Sequence, residues 1–257
     1  MTAEKANARD GASGIDRVLE LIEAISRTGR ALTAPELCGI LGLPKPTVHR
    51  LCQRLEAAGY LAREPGGRHY GIGPRLLRIG LDVMRGGASA ERRAILKSVV
   101  DEIGETCNFT ALAGDEVIYL DRVEARWPLR LHLEPGSRVP LHCTASGKLF
   151  LAHLPPVRRR SVLAALELSA FTPHTIVDRA SLERELAEIS KAGHSLDREE
   201  FLLGLIAVAV PVKDSSGATL AALACHAPSA RLSLERAVGF LPVLERAARR
   251  LAETLPE

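Results

Sequence analysis

Residues 33–70, TAPELCGILGLPKPTVHRLCQRLEAAGYLAREPGGRHY, decide how the chain is to be read. Thr33 carries an oxygen that can accept a free amide, Pro35 suits a first helical turn, and Glu36 stands three residues on. Together they predict a capping box that opens a helix running to about Leu41. Gly42 permits a tight turn, Pro44 or Pro46 can open the next helix, and Val48, Leu51, Cys52 and Leu55 form its buried face until Gly59 stops it. Tyr60 to Arg63 and His69 to Ile72 then alternate around Glu64-Pro65-Gly66-Gly67-Arg68, a hairpin with turn chemistry. Two short helices across a tight turn, followed by such a hairpin, outline a winged helix-turn-helix, a DNA-reading unit.

The charge distribution agrees. Of the 257 residues, 1–86 hold 13 Lys and Arg against 9 Asp and Glu, whereas 87–257 hold 21 against 22. From Lys45 to Arg78 seven basic residues face only Glu56 and Glu64, as a phosphate-contacting surface requires. In a helix-turn-helix the first turn of the second helix enters the major groove, so Lys45, Pro46, Thr47, His49 and Arg50 are the side chains placed to meet bases or adjacent phosphates. Arg can pair two donors with guanine, while Lys suits phosphate. Arg54, Arg63 and Arg68 would flank the groove and its backbone.

Outward from this unit, Ile15, Val18, Leu19, Leu21, Ile22 and Ile25 recur at helical spacing and predict a first helix ending near Thr28-Gly29. The polar segment 1–12 reads as a flexible arm without the apolar core of a secretory signal. Pro74 to Gly86 predicts a linker helix. The expected organisation is therefore an arm at 1–12, the DNA-binding domain at 13–73, the linker helix at 74–88 and a second domain at 89–257. That second domain reads as a helix at about 89–106, strands at 108–113, 117–123 and 129–133, helices at 144–153 and 179–192, strands at 205–212 and 219–227, and a helix at 230–254. The mixture indicates an α+β fold and not a regularly alternating doubly wound sheet. The longest apolar stretch, Leu202 to Val212, is far short of the roughly 20 residues of a bilayer span, so the expected location is the cytoplasm with no membrane partner.

Enzymatic motifs do not assemble. Around Ser146-Gly147-Lys148, His142 and Leu149 stand where a P-loop needs Gly and Ser or Thr. Gly11-Ala12-Ser13-Gly14 lacks the strand that a nucleophile elbow requires. Cys143 and its neighbour His142 would point to opposite faces of a strand. Asp197, Glu199 and Glu200 read as a solvated turn contributing one carboxylate to a pocket. The five cysteines include no CxxC pair, and His132, His142 and His226 lack short metal-site spacing, so neither metal nor cofactor is expected. The rival reading is a ligand-processing enzyme with an accessory nucleic-acid-binding domain.

From about Ile15 to Leu251 the sequence resembles the IclR-type bacterial transcriptional regulators, through GLPKPTVHRL at 42–51, LEAAGYLARE at 55–64, PGSRVPLHCTASGKLFLAHLP at 135–155 and GHSLDREEFLLGLIAVAVPV at 193–212. The resemblance implies a winged helix-turn-helix, a dimerising linker helix and a GAF/PAS-like α+β domain that binds a small organic acid. It also implies dimers or tetramers on palindromic operators. By the same resemblance the pocket is lined by the loop Thr144-Ala145-Ser146-Gly147, by apolar Leu131 and Val139, and by Asp197. Where members that bind very small keto acids carry Cys and two Ser, this chain has Ala207, Ala224 and His226. The expected effector is accordingly bulkier and more apolar than glyoxylate or pyruvate, an aromatic carboxylate or a catabolic intermediate. It would be held by the helix-start amides at 145–147 with a titratable His226 assisting.

Overall fold

A computed structural model describes residues 13–28, 30–64, 67–86, 89–127 and 134–255. The expected arm at 1–12, the expected strand at 129–133 and with it Leu131, and His132 lie outside the described residues. The chain divides into two compact units between Gly80 and Leu81.

The first unit contains α1 (Gly14–Thr28), β1 (Leu32–Thr33), α2 (Ala34–Leu41), α3 (Lys45–Ala57), β2 (Leu61–Arg63) and β3 (His69–Ile72). The Thr33 cap forms in full: its side chain accepts from the Glu36 amide, and the Glu36 carboxylate accepts from the Thr33 amide at 2.7 Å. Gly42 closes α2 with a left-handed φ of 66°, a conformation that costs glycine nothing, and its amide returns to the Cys38 carbonyl. Pro44 caps α3, with Pro46 in the first turn, where a missing N–H has no helical partner to lose. Leu21, Ile25, Leu37, Val48, Cys52, Leu61 and Tyr70 close one core. The strand β1, absent from the sequence reading, pairs with β3 and extends the wing to a three-stranded sheet in the order β1-β3-β2.

After α4 (Pro74–Gly86) come α5 (Ser89–Ile103), β4 (Thr106–Ala113), β5 (Glu116–Val123), β6 (Arg138–Pro140), α6 (Ala145–His153), α7 (Pro156–Ala165) and α8 (Arg179–Ala192). The chain continues through β7 (Ser195–Arg198), β8 (Leu205–Lys213), β9 (Thr219–Pro228), α9 (Leu234–Val238) and α10 (Leu241–Ala252). One antiparallel sheet runs β6-β5-β4-β9-β8-β7. Phe109 and Asp121 lie on the sheet face that meets α5, where buried Arg92 joins Asp121 at 3.1 Å. The other face meets α6, against which α8 packs, around a core of Val117, Leu141, Leu149, Leu151, Leu182 and Leu186.

This α+β architecture is the expected one, with four differences. The helix expected to reach 106 ends at Ile103, because Gly104 turns the chain at φ 77° into β4. The single helix expected at 230–254 is two: α9 ends at Gly239, and α10 begins afresh at Leu241 with Pro242 in its first turn. The helix α7 and the strands β6 and β7 were not anticipated. The turn carrying Glu199 and Glu200 is not solvated throughout, since Glu200 is buried.

Candidate functional site

The sheet register brings distant residues into one row. Asp197 stands opposite Ala207, Ala207 opposite His226, and His226 opposite Thr106, across β7, β8, β9 and β4. One step along, Ala224 faces Asn108 and Asn108 faces Arg122. Residues directly opposite in a sheet share a face, so these side chains converge toward the start of α6. There they enclose a cavity of about 20 Å³, lined by Asp197, Ala207, Ala224 and His226 together with Asn108 and Tyr119. Val139, Thr144, Ala145 and Ser146 supply the wall at the α6 end, and Phe201 and Leu205 the wall at the β7–β8 turn. This volume holds about one water.

Thr144 is both cap and wall. Its hydroxyl donates to the Pro140 carbonyl at 2.7 Å and accepts from the Gly147 amide at 3.1 Å. The Gly147 amide is thereby consumed, and Gly147 does not line the cavity as expected; the first amides of α6 left over belong to Ala145 and Ser146. Gly147 serves packing instead, since a Cβ there would lie 2.2 Å from the Leu141 carbonyl oxygen, and only glycine lets α6 start this close to the preceding chain. Gly147→Ala should lower stability by about 1–3 kcal/mol through overpacking, read as a fall in the urea midpoint. An unchanged midpoint would show that the two segments separate freely.

Burial shifts the protonation of the polar groups around the cavity. Arg122 Nη1 donates to Asn108 Oδ1 at 2.9 Å, which leaves the Asn108 amide nitrogen to meet His226 Nδ1 at 3.0 Å. That nitrogen donates, so Nδ1 accepts and the ring proton is on Nε2. Burial, reinforced by the Arg122 charge, brings His226 down to about 3. The titratable histidine expected from the sequence is therefore neutral near pH 7 and donates through Nε2. Burial raises the Tyr119 phenol to about 12. It also raises Asp197 to about 7, opposed by the Glu200 amide, which donates to Asp197 Oδ1 at 2.7 Å.

Behind the cavity lies an ion cluster that the sequence reading missed. Lys148, fully buried in the first turns of α6, meets Glu185 at 3.0 Å and forms a short ion pair with Glu200. No local signal marks such a lysine, because its partners are 37 and 52 residues away. Cys143 also lies close to these acids, and burial first, then Asp197 and Glu200, pushes its thiol to about 12, far from a reactive thiolate. Nε2 of the adjacent His142 is engaged by the Ser169 carbonyl at 2.9 Å. Among the described residues no three His, Cys, Asp or Glu side chains cluster as a metal site would need.

In the first unit, the exposed start of α3 carries Lys45, Pro46 and Arg50, with Thr47 and His49 half-buried beside them. Arg54 follows on the same helix, also exposed. Among the described residues no ion pair engages Lys45, Arg50, Arg54 or Arg68. Arg63 differs: it donates to Tyr70 Oη at 2.6 Å, pairs with Glu56 at 3.1 Å and stacks on the Tyr70 ring.

The profile described as bacterial transcriptional regulator IclR C-terminal matches residues 87–253, and that of the IclR helix-turn-helix domain matches residues 14–65. The chain belongs to the IclR family. It is 45% identical over 242 residues to a probable transcriptional regulator, SauR, of Cupriavidus necator, covering 94% of this chain and 96% of that one. The IclR crystal structure from Thermotoga maritima superposes with a TM-score of 0.62 at 26% identity, covering 93% of this chain and 97% of its own. The inducer-binding domain of Acinetobacter PobR, a double mutant in complex with 3-hydroxybenzoic acid, superposes with a TM-score of 0.57 at 28% identity, over 62% of this chain and 94% of its own. This IclR-family protein is thus a transcriptional regulator with a helix-turn-helix DNA-binding domain and a C-terminal IclR effector domain.

Proposed function

We propose that this regulator works in the cytoplasm as a dimer or tetramer, binds a palindromic operator through two winged helix-turn-helix units, and responds to a small organic acid held beside α6. The observation that carries the ligand reading is one cavity that gathers Val139, Thr144, Ala145, Ser146, Asp197, Ala207, Ala224 and His226 from four strands, the start of α6 and its cap. The Ala145 and Ser146 amides at a helix start suit a carboxylate. His226 Nε2 and the Tyr119 phenol supply donors for a second oxygen, and Ala207, Ala224 and Val139 supply apolar contact for an aromatic or aliphatic body. A relative's chemistry is consistent with this, since a double mutant of the PobR inducer-binding domain forms a complex with 3-hydroxybenzoic acid. The domain organisation in this reading is 13–73 for DNA, 74–88 as linker and 89–257 for effector and assembly. Exposed Ile79 and Val83 on α4, and Ile15 and Leu19 on α1, offer apolar surface for pairing two chains.

In the DNA reading, Arg50 and Thr47 read bases while Lys45, Pro46 and His49 shape the contact; Arg54 and Arg68 meet phosphate, and Arg63 braces the wing through Tyr70 as well as facing the backbone. A gel-shift titration with the adjacent intergenic DNA, with and without candidate acids, tests the whole reading: absence of a sequence-specific shift rejects it. Arg50→Ala should weaken binding to the operator by roughly 1–3 kcal/mol while leaving nonspecific DNA nearly unchanged. A uniform loss on all DNA would assign Arg50 to phosphate instead.

A further inference from the structure

The cavity of about 20 Å³ has room for about one water and none for an aromatic acid, so on the reading above one of its walls yields when a ligand of that size is bound. The walls differ in what holds them. Asn108, Tyr119, Val139, Asp197, Leu205, Ala207, Ala224 and His226 all lie on paired strands. The start of α6 is pinned by the Thr144 cap and by the close approach of Gly147 to Leu141. Among the described lining residues only Phe201 belongs to neither a strand nor a capped helix start. It lies on the turn 199–204, between two backbone positions of left-handed φ, Glu199 at 63° and Gly204 at 79°.

What backs the Phe201 ring from outside is a second, half-exposed ring. Its ring lies 5.7 Å from that of Phe171, which lies 6.0 Å from the His142 ring and is 49% exposed. Phe171 sits on the irregular strap 166–178 between α7 and α8. The strap is tied to the base of the same turn: the Thr172 hydroxyl donates to the Glu199 carbonyl at 2.7 Å, and the Thr175 hydroxyl to the Glu200 carbonyl at 2.6 Å. Glu200 is itself anchored by Lys148 and by its amide on Asp197. The backbone of the turn is held where the strap joins it, by the Phe201 amide on Asp197 and by the Leu205 amide on the Leu202 carbonyl, so what is left to move is the half-buried Phe201 side chain at the edge of the core, next to the exposed side chains of Leu202 and Leu203.

We propose that Phe201, backed by Phe171, is the door and size filter of the effector cavity, and that ligand binding swings both rings outward and reshapes the apolar surface formed by Phe171, Leu202 and Leu203. Every group added to the ligand pushes Phe201 further from its resting contacts, so the ring sets the upper size of acid the regulator accepts.

The test measures binding of acetate, pyruvate, benzoate and 3-hydroxybenzoate to the full-length protein by calorimetry, in wild type, Phe201→Ala and Phe171→Ala. Removing a ring from the wall should raise the affinity for the aromatic acids relative to pyruvate by roughly tenfold or more in Phe201→Ala, and in the same direction but less in Phe171→Ala. Hydrogen exchange on wild type saturated with the tightest of these acids should change at 167–178 and 199–204 together. An unchanged aromatic-to-pyruvate ratio in Phe201→Ala, or exchange at those segments indifferent to ligand, overturns the door. Failure of all four acids to bind any of the three proteins, or to alter the gel shift, overturns the organic-acid reading and the door with it.

Discussion

Lys148→Met should cost about 3–5 kcal/mol of stability, because removing one partner of a buried pair leaves an uncompensated charge behind. The Lys148 side chain is 0% exposed, and its ammonium is shared between Glu200, itself 3% exposed, and Glu185. Burial acts to raise the Glu185 carboxyl, but Lys148 and Arg198 together hold it below the usual carboxylate range. Without the ammonium, Glu200 keeps a buried Oε2 that already has no hydrogen-bond partner. Protonation of one carboxylate would then be the cheapest relief, so the loss should be largest at alkaline pH. Glu200→Gln added to Lys148→Met should recover a substantial part of it, since the double variant no longer buries the carboxylate that Lys148 neutralised, and Glu185 keeps Arg198 as a partner. Urea denaturation of the two variants and wild type at pH 8 decides this; a single-variant loss below about 1 kcal/mol would mean that water reaches the cluster and screens it as at a surface. The effect should extend to the cavity, because Glu200 also donates its amide to Asp197.

This cluster marks where sequence reasoning ends. Local chemistry was legible where its partner was local: the Thr33–Glu36 box, the Gly42 turn and the wing hairpin rest on residues within a few positions of one another. Strands β8 and β9 were legible because both faces are buried and their residues are nearly all apolar. Strand β7 was hidden for the converse reason. Ser-Leu-Asp-Arg has the wrong residues for a core, yet Asp197 is buried because the cavity and the Glu200 amide receive it, and Ser195 is buried beside it with no hydrogen-bond partner for its hydroxyl. The break at Gly239 was hidden because apolar periodicity continues through it from Ala237 to Leu244. Several cavity residues were reached through resemblance, but the hydrogen-bond chain Arg122–Asn108–His226 was not, since it joins residues 14 and 118 positions apart. Phe201 was missed because a single aromatic in a turn announces nothing until the cavity beside it is seen.

Asp197 should make the protein less stable as pH rises, the reverse of an ordinary salt-bridged aspartate. Its carboxyl, 2% exposed as a residue, is raised to about 7 chiefly by burial. The charged groups around it divide. Glu200 adds like charge and Lys148 opposes it, while Tyr119 and Cys143, both raised by burial, stay protonated and neutral. A group whose folded pKa lies above its unfolded value of about 4 binds more protons in the folded state between those two values. Its favourable contribution is complete below about pH 4, diminishes through pH 5 and 6, and is gone above about pH 7. Spread over that interval the difference amounts to about 3–4 kcal/mol. Asp197→Asn retains an oxygen for the Glu200 amide but cannot ionise, so the stability of the variant relative to wild type should rise by that amount from pH 4.5 to pH 8 in matched denaturation series. Parallel curves for the two proteins would mean that Asp197 titrates in the ordinary carboxylate range. On the organic-acid reading the same proton also matters for ligand, because a bound carboxylate beside Asp197 is repelled once Asp197 ionises. Affinity for the acid should therefore fall above pH 7 in wild type and hold level in Asp197→Asn, a divergence that a purely structural aspartate would not produce.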